Sequence, residues 1–217
     1  EHMEEGIDYR ERTWLTEEDF DTYFAEGKRL QEVYSGQIKI GLGVEVGFNP
    51  DCSARLLERL ANRTWHRVGL SFHFAKTPEY PHHLNLLSRQ KKNLELLNRL
   101  GAQELLSQYF DTLATAVETI PADVLCHLDA GLRHLPNLEL STHNIGQIEH
   151  LLDLVKHKGM SLEINTSGYP LRNAPFPRHE IITLAATRGI PFVAGSDAHA
   201  PSQVGRHFDL LDKLTTA

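Results

Sequence analysis

The sequence predicts an α/β domain in which parallel strands alternate with helices and curl into a barrel. The main observation is a set of five apolar runs of strand length that end in metal-binding or polar side chains: Lys39–Glu45, Arg67–His73, Ala122–His127, Met160–Asn165 and Ile190–His199. Helix-patterned segments separate most of these runs. In a barrel of parallel strands, all C-terminal strand ends open on one face, where residues from different strands meet. We therefore expect the polar ends of the five runs to form one site.

The run Ile190–His199 shows the pattern most clearly. It begins as a short apolar segment, typical of a strand buried on both faces, and stops at Gly195. Asp197 and His199 follow, two positions apart. On extended backbone, positions i and i+2 point the same way, so we expect this carboxylate and imidazole to converge. Both groups are ligands for zinc-type or manganese-type cations.

Helical periodicity and capping signals predict the elements between the runs. The predicted helices are Glu17 to about Tyr34 after an N-cap at Thr16, Ser53–Ala61, Leu87–Ile120 with a break near Gly101, Asn144–Lys158 capped by Asn144, Arg178–Arg188, and Phe208–Leu214. Two long loops rich in proline remain, His73–Leu87 and Thr166–Pro177. Loops of this length in a compact domain are more often functional than idle.

Length and composition indicate an ordinary globular protein. The chain has 217 residues, of which 41% are hydrophobic and 24% charged, so we expect one domain over residues 1–217. No run reaches the length of a membrane span and no signal-peptide pattern opens the chain. Of the two cysteines, Cys126 falls in a predicted buried strand, so we expect free thiols and a cytoplasmic protein. The net charge of −7 disfavours nucleic acid as a partner.

Four motifs, in order and with suitable spacing, give the chain a resemblance to a known family. They are Gly43-Val-Glu45-Val, Ser71-Phe-His73, Cys126-His127-Leu-Asp129 and Gly195-Ser-Asp-Ala-His199. The sequence resembles the PHP family, named for polymerase and histidinol phosphatase, over essentially its whole length. Two further segments, Glu163-Ile-Asn-Thr-Ser-Gly168 and Val204-Gly205, look like the histidinol-phosphatase branch of that family.

The resemblance implies a distorted (β/α)7 barrel that holds two or three divalent metal ions, with zinc, manganese and iron as the candidates. Carried over by motif, the implied ligands are Asp197 for a first ion, His73 and His127 for a second, His199 with His2 for a third, and Glu45 bridging the first two. Carboxylates can bridge two cations, and neutral imidazoles add ligands without excess negative charge.

One motif of the family has no counterpart in the sequence. A His-x-His is expected on the first strand, but none occurs here, and Glu1-His2 looks like the end of the second strand. We therefore expect these 217 residues to be a truncated or incompletely ordered version of a longer chain that also supplies the first strands and about three ligands.

The predicted activity is that of a metal-dependent phosphomonoesterase, with histidinol phosphate as the specific substrate. A metal-bound hydroxide is expected to attack phosphorus, with Glu45 and Asp197 holding the ions. Arg172 and Arg206 are predicted to bind the phosphoryl oxygens, since a guanidinium matches phosphate geometry. Asp129 is expected to orient His127 or cap the next loop rather than bind metal.

Two alternatives to this function stay open at the level of the sequence. Other branches of the family act on nucleotides or nucleic-acid ends, and a chain without the first motif could also be a non-catalytic metal-binding module. The sequence does not indicate an oligomeric state. Substrate preference and the number of bound metals per chain discriminate among the three functions.

Overall fold

The computed structural model describes residues 1–213 and contains a parallel sheet flanked by helices. The sheet consists of β1 (His2–Met3), β2 (Gly43–Gly47), β3 (Arg67–Ser71), β6 (Val124–Leu125), β7 (Ser161–Asn165) and β8 (Phe192–Gly195), side by side in that order. Every neighbouring pair is parallel. The predicted α/β fold with strands at the five apolar runs is confirmed.

The sheet curves so that its two outer strands approach each other at their C-terminal ends. Six flat strands at about 4.8 Å spacing would hold the first and last about 24 Å apart. The ring of His2 on β1 nevertheless lies only 6.0 Å from the ring of His199, which follows β8. Within residues 1–213 no backbone hydrogen bonds join β1 to β8, so the sheet is barrel-like without being closed by its ladder.

The helices lie close to the predicted segments. They are α1 (Glu17–Val33), α2 (Ser53–Ala61), α3 (Lys91–Arg99), α4 (Ala102–Thr119), α5 (Thr142–His157), α6 (Tyr169–Arg172) and α7 (His179–Thr187). The predicted break near Gly101 is confirmed, because this glycine has φ +95° and separates α3 from α4. The predicted final helix is a 3-10 helix over Phe208–Lys213, and its predicted last residue, Leu214, lies outside the described residues.

Helix caps explain where two of the long helices begin. Thr16 accepts a hydrogen bond from the backbone N–H of Asp19, and the Asp19 carboxylate accepts the N–H of Thr16, which completes a capping box for α1. The same reciprocal arrangement joins Ser141 and Asn144 at the start of α5. The prediction of Asn144 as the N-cap was therefore wrong by three positions, because Ser141 caps the helix and Asn144 is its partner.

The predicted loop His73–Leu87 instead contains an antiparallel hairpin of β4 (Phe74–Thr77) and β5 (Tyr80–Asn85). Phe74 and Ala75 of β4 are buried, as is Leu84 of β5, so the hairpin packs as part of the domain. The two prolines had suggested a loop, but both strands of a separate two-stranded sheet are edge strands, where proline is tolerated.

The core lies between the sheet and the helices, with α4 and α5 packed against each other. Its largest buried side chains include Tyr109, Phe110 and Leu113 of α4. β8 departs from the prediction, because its residues are half-buried or exposed rather than buried on both faces. β8 is an outer strand, since among the described residues it pairs only with β7, and it is less covered than a strand inside the sheet. None of the helices over residues 1–213 combines the length and apolarity needed to cross a lipid bilayer.

Candidate metal centre

Three predicted ligand imidazoles meet at the carboxylate of Glu45, which lies in the middle of β2. Nε2 of His127 lies 2.9 Å, and Nε2 of His73 3.1 Å, from Oε1 of Glu45. Nε2 of His2 lies 3.8 Å from Oε2. These side chains come from β1, β2 and the residues just after β3 and β6, which are neighbouring strands. The structure therefore brings together side chains that are up to 125 positions apart in the sequence, from His2 to His127.

Burial and mutual contacts set the charges in this cluster. Burial lowers the pKa of His2 to about 4, which keeps its ring neutral. Burial acts in the same direction on His73, but hydrogen bonds to Glu4 and Glu45 outweigh it and raise the pKa of His73 to about 10. Although burial opposes it, the rings of His127 and His73 hold the pKa of Glu45 well below its usual value. The Glu45 carboxylate is thus anionic and attracts positive charge.

The residues present fit a divalent cation. One ligand atom each from His2, Glu45 and His73 lie within 4.8 Å of one another, which is a spacing that a shared ion can span. Two imidazole nitrogens point at a single carboxylate oxygen. Neutral rings could both donate hydrogen bonds to this oxygen only if each carried its proton on the nitrogen that faces it. Nδ1 of His127 is buried and has no hydrogen-bond partner among residues 1–213. Imidazole and carboxylate donors suit zinc, manganese and iron.

Glu4 supports the centre from behind His73. Its Oε1 lies 2.7 Å from Nδ1 of His73, the ring nitrogen that faces away from Glu45. A carboxylate in this place fixes the orientation and tautomer of a metal-binding imidazole. Glycine at position 47 makes room for it, because a Cβ there would lie 1.9 Å from a Glu4 carboxylate oxygen. The sequence analysis missed Glu4, although its position two residues after His2 was an available signal.

Glu163 on β7 supports the backbone at His127. Its Oε2 accepts the backbone N–H of His127 at 2.9 Å and the side-chain N–H of Asn165 at 3.0 Å. His127 has φ +25°, a strained value that a non-glycine residue rarely adopts without such support. Gly195 on the neighbouring strand leaves space for this carboxylate, because a Cβ there would lie 1.8 Å from Oε1 of Glu163.

Asp197 and His199 form a more open part of the site. Asp197 lies past the end of β8 in the left-handed conformation with φ +47°, so the expected extended backbone was wrong. The two side chains still converge, with Nδ1 of His199 3.6 Å from Oδ1 of Asp197. The ring of His199 is 62% exposed and lies 6.0 Å from that of His2, which links it to the cluster at Glu45.

The two arginines predicted to bind phosphate both contact protein acceptors. Arg172 makes a bidentate ion pair with Asp129, with nitrogen–oxygen distances of 3.0 and 3.1 Å. Arg206 donates from Nε to the carbonyl of Ser196 at 3.0 Å and from Nη2 to that of Asp197 at 3.2 Å. Arg206 therefore borders the metal centre directly, whereas the guanidinium of Arg172 is held by Asp129.

A third arginine, which the sequence analysis did not single out, carries unused donors. Nε and Nη1 of Arg133 are buried, and neither has a hydrogen-bond partner in the described part of the chain. Burial lowers the pKa of Arg133, and the charges of Asp197 and Glu45 oppose that change, so its guanidinium lies within electrostatic reach of both carboxylates. Arg133 follows His127 by six positions, and no sequence periodicity connects the two.

Most of the chain matches a known protein family. Residues 1–167 match the family model described as PHP domain, and residues 177–213 match a model described as PHP-associated. The chain belongs to the PHP domain family. The first match alone covers well over half of the chain, and it includes the segments that carry Glu45, His73 and His127.

Relatives of this PHP domain protein carry one recurrent name. It is 28% identical over 200 residues to the "Probable histidinol-phosphatase" of Deinococcus radiodurans, an alignment that covers 88% of this chain and 69% of the relative. It is 25% identical over 225 residues to the "Probable histidinol-phosphatase" of Schizosaccharomyces pombe, with 94% and 71% covered. Both alignments span most of the relative as well as most of this chain.

Two solved structures share the fold. One is a Listeria monocytogenes protein named, provisionally, as the histidinol phosphatase hisK, with a TM-score of 0.78 at 20% identity over 91% of this chain and 77% of the other. The second is the histidinol phosphate phosphatase of Lactococcus lactis subsp. lactis Il1403 in complex with Zn, L-histidinol and phosphate. Its TM-score is 0.70 at 17% identity, over 99% of this chain and 80% of that one. The predicted PHP fold is therefore confirmed.

Proposed function

We propose that this PHP domain protein is a metal-dependent phosphomonoesterase that hydrolyses L-histidinol phosphate to L-histidinol and phosphate. The observation that carries the proposal is the convergence of Nε2 of His73 and His127 on one oxygen of Glu45, at 3.1 and 2.9 Å. Imidazoles from separate strands around one carboxylate form a donor set that suits a divalent cation.

The cation-binding residues are distributed over the curved sheet. Glu45 would be a shared ligand, with His73 and His127 as ligands of one ion and His2 with His199 as ligands of a further ion. Asp197 would supply a carboxylate to another ion of the centre. Two or three divalent ions are expected, with zinc, manganese or iron as candidates. When bound, such ions lower the pKa of a shared water and neutralise charge on the phosphoryl oxygens.

Arginines provide the remaining contacts to the phosphoryl group. We assign Arg133 as the principal phosphate ligand, because its buried Nε and Nη1 have no acceptor among residues 1–213 and the charges of Asp197 and Glu45 act on its pKa. A guanidinium with two free N–H groups matches two phosphoryl oxygens. Arg206 borders Asp197 and stays a second candidate ligand. Fixed donors of this kind stabilise the charge that develops on the transferring group without reorganisation.

Histidinol phosphate is proposed as the substrate on the strength of the relatives. Two of them are named as histidinol-phosphatases, and their alignments cover 88% and 94% of this chain. The Lactococcus lactis protein, which shares the fold, binds Zn, L-histidinol and phosphate. The free thiols of Cys52 and Cys126 agree with the cytoplasmic location that we propose for the enzyme.

The test is a phosphate-release assay on the full chain reconstituted with zinc or manganese. L-Histidinol phosphate is compared with sugar phosphates, mononucleotides and 3′- or 5′-phosphorylated oligonucleotides. We expect kcat/KM for histidinol phosphate to exceed that for every other substrate by at least about 10-fold, which corresponds to 1.4 kcal/mol of preference for the bound transition state.

Other outcomes of the assay identify the alternatives. A preference for nucleotides or oligonucleotide ends would replace the proposed substrate while keeping the chemistry. Loss of activity on all substrates, together with fewer than two bound metals per chain, would indicate a non-catalytic metal-binding module. The net charge of −7 disfavours binding of long nucleic acids, so we expect oligonucleotide hydrolysis to be slow.

A further inference from the structure

Asp129, two residues after His127, is locked into an ion-pair network. Its side chain is only 1% exposed and accepts the bidentate pair from Arg172. It also accepts the backbone N–H and the Nε–H of Arg178, each at 3.2 Å. Four donors from the loop after β7 therefore occupy the carboxylate. This leaves Asp129 no role as a metal ligand and ties that loop to the segment that follows β6.

Arg172 is fixed along its whole guanidinium group. Besides the two hydrogen bonds to Asp129, its Nε and Nη2 both donate to the carbonyl of Pro175. Its Cζ also lies 4.0 Å from the ring centroid of Phe176. All three guanidinium nitrogens of Arg172 thus have protein acceptors. The group therefore has a structural role and is not free to bind substrate.

The ring of Phe176 lies between the fixed guanidinium group of Arg172 and that of Arg133. Its side chain is 1% exposed, and its backbone exchanges two hydrogen bonds with Asn165 at the end of β7, at 2.7 and 2.9 Å. Cζ of Arg133 lies 5.7 Å from the same ring that Arg172 stacks on. The aromatic ring is therefore flanked by two guanidinium groups, of which one is fully paired and the other has unused donors.

We propose that Asp129, Arg172 and Phe176 are positioning residues that hold the guanidinium of Arg133 in place to bind the phosphoryl group. The inference rests on the proposed function of the metal centre. Arg172 then acts through Phe176 and does not contact the substrate, which separates its role from that of Arg133. A cation–π contact at a desolvated site orients the guanidinium plane while leaving its N–H groups available to a ligand.

The experiment is a double-mutant cycle between Phe176→Leu and Arg133→Met, read out by competitive inhibition with inorganic phosphate. Phe176→Leu is expected to raise the inhibition constant and KM about 2- to 30-fold, the range for loss of a cation–π contact, with a smaller change in kcat. Arg133→Met is expected to raise both by about 10-fold or more. In the double variant, the inhibition constant should stay within about 2-fold of that of Arg133→Met alone, because the ring then has nothing left to orient.

Phe20→Leu is a matched control. Phe20 is also fully buried and also has two guanidinium groups at its ring, those of Arg59 and Arg63 at 5.9 and 5.4 Å, but on α1. We expect this variant to lower the melting temperature without changing inhibition by phosphate. Should Phe176→Leu fail to fold, Arg172→Gln replaces it in the same cycle, with an effect in the same direction.

The outcomes separate this inference from the proposed function. If Phe176→Leu and Arg133→Met each weaken phosphate binding and their effects multiply, Phe176 is not acting through Arg133 and the positioning role is overturned. If Arg133→Met leaves phosphate binding intact, the assignment of Arg133 fails, and the positioning role with it. If the wild-type protein hydrolyses no phosphomonoester, the same cycle is read from dissociation constants for inorganic phosphate measured by calorimetry, and a cycle that still behaves as expected would overturn only the proposed activity.

Discussion

The metal centre has two halves that are built differently. In the first half, His73 and His127 are buried, and each is held by a carboxylate, Glu4 for one ring and Glu163 for the backbone of the other. In the second half, His199 is 62% exposed, and within residues 1–213 its Nδ1 contacts only Asp197. The strand before it, β8, is half-buried, whereas β3 and β6 lie inside the sheet.

The difference shows in which half the fold positions the ligand side chains before a metal binds. Outer contacts to a ligand cost nothing at the moment of binding when they are already in place, so the half around Glu45 is preorganised. The half at Asp197 and His199 relies on a residue with φ +47° and on exposed side chains, so it has less support of its own. We therefore expect ions at Glu45 to be held more tightly than the ion at His199.

Glu45→Gln should have the largest effect on this comparison. It removes the anionic oxygen that His73 and His127 share and that lies in the better supported half. We expect kcat/KM to fall by more than about 100-fold, because loss of a ligand exceeds the 10- to 100-fold cost of losing one of its outer partners. Elemental analysis should show fewer metals per chain. Full metal content with full activity would remove Glu45 from the centre.

Glu4→Gln tests whether the outer carboxylate matters. Without its charge the Nδ1 of His73 loses an anionic partner at 2.7 Å, so we expect metal affinity to fall about 10- to 100-fold in a chelator competition assay. The matched control is Glu5→Gln, which alters ion pairs to Arg55 and Arg59 instead. Equal effects of the two substitutions would mean that Glu4 acts only through general folding stability.

Gly195→Ala should give a smaller effect through Glu163. The new Cβ would lie 1.8 Å from Oε1 of Glu163, so the carboxylate must move away from the backbone N–H of His127. We expect activity to fall by about 10-fold, at the lower end of the outer-partner range, with the protein still folded by circular dichroism. Unchanged activity would show that His127 keeps its position without this hydrogen bond.

Gly146→Ala should have the smallest effect of these substitutions, and it should make the protein more stable. Gly146 lies inside α5, and a Cβ there meets no atom within 4 Å. Alanine in a helix interior is more favourable than glycine, so we expect the free energy of unfolding to rise by about 0.5–1 kcal/mol in urea denaturation. Activity and metal content should not change; a loss of either would imply that the centre responds to any change in the fold.

The strands and the clustering of the ligand side chains were easier to predict from the sequence than the residues that hold those ligands in place. His73, His127 and Glu45 were predicted to lie together because each ends an apolar run of strand length. Parallel strands bring their C-terminal ends to one edge. The hairpin of β4 and β5 was missed because its prolines suggested a loop, and the left-handed Asp197 was missed because strand alternation was assumed past the end of β8.

The roles of the arginines could not be deduced from spacing. Arg172 and Arg206 were chosen because they follow family motifs, but which guanidinium is free depends on long-range partners such as Asp129, 43 positions before Arg172. Arg133 has unused donors because the fold buries them without an acceptor in the part of the chain that the structure describes. Such accounting requires coordinates, since every group must be assigned its hydrogen bonds in three dimensions.

The most direct measurement is anomalous X-ray diffraction from crystals of the zinc-loaded protein, recorded on both sides of the zinc absorption edge. We expect an anomalous peak within about 2.0–2.2 Å of Nε2 of His73, Nε2 of His127 and a carboxylate oxygen of Glu45. A second peak is expected next to Asp197. Crystals in which His73 and His127 still contact Glu45 directly, with zinc bound only elsewhere, would show that this cluster is not a metal centre.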